Sequence, residues 1–85
     1  MTNTRIKREH DVEISLNNHA VLVEGPKTNG LAIKRDAIEQ GVKIQLDFVL
    51  SLEIGDRRTK VIGDNEEITV HAYAKFIAVA PDDNS

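Results

Sequence analysis

Cysteine is absent from this chain, which excludes disulfides, thiolate metal sites and thiol nucleophiles. Without disulfides there is no need for an oxidising compartment, and the cytosol is the expected location. Tryptophan is absent as well, and with two Phe and one Tyr the core has to be assembled from Val, Ile, Leu and Ala. No apolar run approaches the ~20 residues that span a bilayer. The polar opening MTNTRIKREHD lacks the apolar stretch of a secretory signal, so a soluble chain with no membrane partner is expected. Dense positive charge is missing too: the net charge is −3, with Arg5, Lys7 and Arg8 near the start and Asp82 and Asp83 near the end. A nucleic-acid partner is therefore not expected, because such binding uses a basic patch interleaved with aromatic stacking residues.

What is present makes one domain. A chain of 85 residues buries only about 60 to 65% of its unfolded surface, enough for one core and no deep catalytic pocket. Residues 1–10 carry no sustained apolar period and read as a disordered arm. In DVEISLN, Val12, Ile14 and Leu16 alternate with Glu13 and Ser15, the period of a half-buried strand. Asn17 and Asn18 accept the positive φ that a tight hairpin turn demands, so HAVLVE is the return strand. GPKTNG then stops the sheet, since Pro26 cannot donate to a ladder.

A helix is expected from about Thr28 or Asn29 to Gln40, with Thr28 or Asn29 as the N-cap and Gly41 as a left-handed C-terminal cap. Leu31, Ala32, Arg35, Ile38 and Val42 form its inner stripe, widened by Ile33 and Ala37, and Lys34, Asp36, Glu39 and Gln40 face water. The segment VKIQLDFVLSLEI, with Ile44, Leu46, Phe48, Leu50 and Leu52 on one face, is expected to be the longest strand. GDRR turns it into the short strand TKVIG, DNEE makes a solvated loop, and ITVHAYA is extended or irregular. KFIAVA, apolar on both faces, suits a central strand. One amphipathic helix on a four- to five-stranded mixed sheet gives every stripe a partner, an α+β arrangement of the β-grasp type.

Sites for chemistry are sparse. His10, His19 and His71 fall on an arm, a turn and a strand without helical i, i+4 spacing, so no metal centre is expected. DNEE lacks the glycine and spacing of a calcium loop. Ser15, Ser51 and Ser85 sit in no glycine-flanked elbow. The expectation is a protein that is not an enzyme and holds no cofactor.

From about Val12 onward, TNGLAIKRDAIEQGV, IQLDFVLSLEI, IGDNEEITVHAYAKF and the closing APDDNS, taken in order, resemble the bacterial multiubiquitin or prokaryotic ubiquitin-like proteins. The resemblance implies a ubiquitin-like β-grasp over residues 11–80 followed by a flexible tail, residues 81–85. It implies a protein modifier whose partners are an E1-like activating enzyme, an E2-like carrier and a processing peptidase, with a role in antiphage defence. Pro81 would end the last strand, and Asp82, Asp83, Asn84 and Ser85 would form the conjugation tail. The chemistry would fall at Ser85, or at Asn84 once Ser85 is removed. The chain departs from ubiquitin in having no Gly-Gly ending, since no glycine follows Gly63. In ubiquitin-like folds the sheet face opposite the helix is the usual partner surface, and Val21, Val23, Val49 and Val79 are candidates for it. Strand parity alone does not assign their faces, because a shift of one residue exchanges them. A non-covalent β-grasp interaction or scaffold module is the second reading of the same fold.

Overall fold

The computed structural model describes residues 9–81. Residues 1–8 of the expected arm, and Asp82, Asp83, Asn84 and Ser85 of the expected tail, lie outside the described residues.

The first two strands, β1 (Asp11–Leu16) and β2 (His19–Glu24), form an antiparallel hairpin. Their turn is Asn17 and Asn18, with φ of 51° and 67°, a conformation that asparagine tolerates better than most residues and that matches strand twist. The hairpin reaches back to His10, whose carbonyl accepts the Gly25 amide at 2.9 Å. A short strand β3 (Lys27–Asn29) then leads into helix α1 (Gly30–Glu39). The remaining strands are β4 (Val49–Gly55), β5 (Arg58–Ile62), β6 (Glu67–Thr69) and β7 (Lys75–Val79).

Five strands make one mixed sheet in the order β2-β1-β7-β4-β5. The last strand lies in the middle, parallel to β1 and antiparallel to β4, as its two-sided apolar run suggests. One helix on a mixed sheet of this order is the ubiquitin-like β-grasp. The core between them holds Ile14, Leu16, Val21, Val23, Ile33, Leu50 and Phe76, among others. The two remaining strands, β3 and β6, pair antiparallel in a small second sheet, where the sequence suggested a break at GPKTNG, a loop at DNEE and an extended or irregular stretch at ITVHAYA.

Both ends of α1 are built from local chemistry. The Asn29 side chain accepts the Ala32 amide at 2.8 Å, satisfying one of the orphan donors of the first turn. At the other end the Gly41 amide bonds the Ile38 carbonyl at 3.1 Å and the Val42 amide bonds the Ala37 carbonyl at 2.9 Å, the paired pattern of a Schellman cap. Gly41 has φ of 97° there. The first turn also meets the loop after β5: the Gly30 and Leu31 amides bond the Gly63 and Asp64 carbonyls at 3.2 and 3.1 Å. A Cβ on Gly30 would stand 2.5 Å from the Gly63 oxygen. Only glycine allows that approach.

Two expectations about these elements need correction. The buried face of α1 is Gly30, Ile33, Lys34 and Ala37, whereas Arg35 and Ile38, placed inside by the sequence reading, are exposed. The expected long strand begins only at Val49, because residues 42–48 pass irregularly under the helix. Val42 and Ile44 still enter the core there, while Leu46 is exposed. Lys34, expected to face water, is a residue only 3% exposed, and its ammonium donates to the carbonyls of Leu46 and Phe48 at 2.6 and 2.8 Å, so these groups serve a side chain and not a β-ladder.

Candidate functional site

The sheet has one face against α1 and one open face, and the strand registers assign each residue to its side. Ile14 pairs with Val21 and Val12 with Val23; Val21 and Val23 are fully buried. These two valines therefore pack toward the helix and drop out of the expected partner surface. Val49 pairs with Val79 across β4 and β7, and they are 36% and 53% exposed. They stand on the open face, because their neighbours in the same strands, Leu50 and Ala78, form the buried pair.

The open face carries more apolar surface than those two residues. Ile77 pairs with Ser51, and Ser51 in turn pairs with Val61 of β5; Val61 is 60% exposed. Val79, Val49, Ile77 and Val61 thus form one apolar band across β7, β4 and β5, with Ser51 between them. Parity along β5 carried no signal for Val61, since TKVIG is too short for a clear alternation. Lower on the same face, Ser15, Asn17, Asn18, Glu53, Lys75 and Ile77 line a shallow cleft of about 380 Å³ together with Phe76.

The end of β7 is held by a side chain that continues the parallel ladder. β1 pairs with β7 at Ser15 with Lys75 and Leu16 with Phe76. Beyond the strand, the Asn17 amide N–H reaches the Phe76 carbonyl at 3.0 Å. The Asn17 carboxamide then donates to the Ala78 carbonyl at 3.0 Å and accepts the Ala78 amide at 2.9 Å. Strand β7 is therefore fixed to within one residue of Val79, and Pro81 follows two residues later. A comparable device closes the β2 edge, where the Gln40 carboxamide accepts the Leu22 amide at 2.9 Å and donates to the Leu22 carbonyl at 2.7 Å.

The loop expected to be merely solvated is in fact tied down. Asp64 Oδ1 meets Lys34 Nζ at 2.8 Å, so the buried ammonium joins α1, residues 46–48 and the loop after β5. Glu66 folds back to accept the Gly63 amide at 3.1 Å, and its other oxygen meets Lys60 at 3.2 Å. The Gly63 hydrogen bond, with a further contribution from Lys60, holds the Glu66 carboxyl below the usual glutamate range. Among the described residues no group of three or more His, Asp and Glu side chains is placed to hold a metal ion. Within the same limits, no helix is long and apolar enough to cross a membrane. Comparison with protein-family models, with curated proteins and with solved structures finds no match to this chain.

Proposed function

We propose that this protein is a bacterial ubiquitin-like modifier, activated at its terminal carboxylate by an E1-like enzyme, passed to an E2-like carrier and joined to a target, in the setting of antiphage defence. The single observation that carries the reading is the placement of β7. The central strand bears Val79 on the open apolar band and then runs into Pro81. A partner seated on Val49, Ile77 and Val79 would therefore have the chain beyond Pro81 within reach of its own active site, so docking and reaction would share one rigid strand. The modifier supplies no catalytic group of its own. In the activation step the carboxylate oxygen would attack the α-phosphorus of ATP, forming an acyl-adenylate and expelling pyrophosphate. An enzyme thiolate would then displace AMP and leave a thioester.

The same band would serve a non-covalent interaction module, and the two readings part at the tail. The test is intact-mass analysis of this chain after incubation with an E1-like enzyme and Mg-ATP, beside a chain lacking residues 82–85 and a Val79→Asp variant. The modifier reading expects a thioester adduct with the full chain, none with the truncated chain, and a weakened one with Val79→Asp. An interaction module forms a complex that both the full and the truncated chain support equally, with no adduct. That outcome refutes the modifier reading.

A further inference from the structure

We infer that the β5 edge of the sheet is a strand-addition site for an extended partner segment that alternates acidic and apolar side chains. The two edges of the main sheet are β2 and β5, and they are treated differently. At β2, the Gln40 carboxamide already occupies the Leu22 N–H and C=O in the way an added peptide unit would. At β5 no side chain plays that part among the described residues.

The registers say which backbone groups point outward. On β7, Phe76 and Ala78 bond toward β1 and Asn17, so Ile77 and Val79 bond toward β4. By the alternation of antiparallel ladders, Ser51 then faces β7 while Leu50 and Leu52 face β5. Their partners on β5 are Ile62 and Lys60. The N–H and C=O groups of Thr59 and Val61 are therefore directed away from the sheet, a pair of donors and acceptors spaced for one added strand.

Side-chain chemistry selects the occupant. Arg58 and Lys60 lie on the helix side of the edge, and Arg57, with φ of 60°, adds a third cation at its turn. Lys60 meets Glu66, while Arg57 and Arg58 make no ion pair among the described residues. Glu53 sits on β4, one strand further in, and on the open face, where it is more distant from an added strand than the β5 cations by roughly 5 Å of interstrand spacing. Val61 projects from the open side of the edge at 60% exposure. An added strand would accordingly set acidic residues beside Arg58 and Lys60 and an apolar residue beside Val61, prolonging the band already formed by Val49 and Val79. Charges on an edge strand also serve to repel unwanted pairing; here they would repel basic segments and admit acidic ones, which is selectivity by charge. The inference holds whether or not the chain is conjugated.

The test uses the full ¹⁵N-labelled chain and a short synthetic peptide of alternating glutamate and valine, with a lysine-valine peptide as control. Amide hydrogen exchange at Thr59 and Val61 is expected to slow by about 10-fold or more with the acidic peptide near saturation, while Lys60, already in the ladder, is unchanged. Arg58→Glu should weaken binding by roughly 5-fold at unchanged urea midpoint, and Arg58→Glu with Lys60→Glu should transfer preference to the lysine peptide. The inference is overturned if the two peptides bind the natural chain alike. It also fails if protection appears on β2 in place of Thr59 and Val61, or if millimolar acidic peptide produces no protection at all.

Discussion

Replacing Lys34 with methionine isolates a charged group buried beneath the helix. The methionine keeps most of the aliphatic length and loses the ammonium, so the change removes the bonds to the Leu46 and Phe48 carbonyls and the pair with Asp64. Hydrogen bonds from a charged donor contribute about 1.5 to 3 kcal/mol each. Asp64 is half exposed, with a side chain 51% accessible, so water replaces its partner and the ion pair itself adds at most about 1 kcal/mol. Methionine recovers part of the loss by filling the same space. The net loss for Lys34→Met is expected to be about 3 kcal/mol. A chain of 85 residues has roughly 4 to 13 kcal/mol of stability in all, and the change should lower the melting temperature by about 12 to 24 °C. Urea unfolding followed by circular dichroism gives the value directly if the slope is unchanged. Asp64→Ala in the same assay should cost about 1 kcal/mol or less, since the two carbonyls continue to hold the ammonium. If Lys34→Met loses under about 1 kcal/mol, or if Asp64→Ala loses as much as Lys34→Met, the buried ammonium is not what organises residues 42–48.

Gly30→Ala should destabilise by about 2 kcal/mol or more although alanine favours helix, because the new Cβ meets the Gly63 carbonyl at 2.5 Å; Gly41→Ala, which meets open space at positive φ, should cost about 1 kcal/mol by the same thermal melts. Asn17→Gly preserves the turn and deletes the two bonds to Ala78, so a loss of about 1 to 2 kcal/mol is expected, together with faster amide exchange at Ala78 by NMR. Glu66 titrates below its ordinary range in the folded chain. Its contribution is therefore present above the unfolded glutamate value of about 4.3 and is lost as pH falls through the lower folded value. Glu66→Gln should flatten that part of the acid limb in urea midpoints measured against pH, and an unchanged limb would contradict the assignment.

Local chemistry made much of this fold legible. The Asn17–Asn18 turn, the Asn29 cap and the Gly41 terminus are each decided by groups within a few residues, where a positive φ or an orphan amide admits few solutions. The apolar run from Phe76 likewise suggested an interior strand, and β7 is the central strand. The candidate site was half legible. Val49 and Val79 are on the open face, whereas Val21 and Val23 are under the helix and Val61 was missed.

The amino-acid sequence by itself determined that one amphipathic helix and several alternating strands would share a single small core without cysteine, because period, capping and composition act over short range. Only the tertiary structure decided the rest. Whether Lys34 faces water or the core depends on the carbonyls of Leu46 and Phe48 and on Asp64, groups 12 to 30 residues away in the chain. The pairing of β3 with β6, the capture of Leu22 by Gln40 and the face on which each valine lies have the same origin. Partners distant in sequence leave no local period, and in a sheet a register shift of one residue exchanges inside for outside.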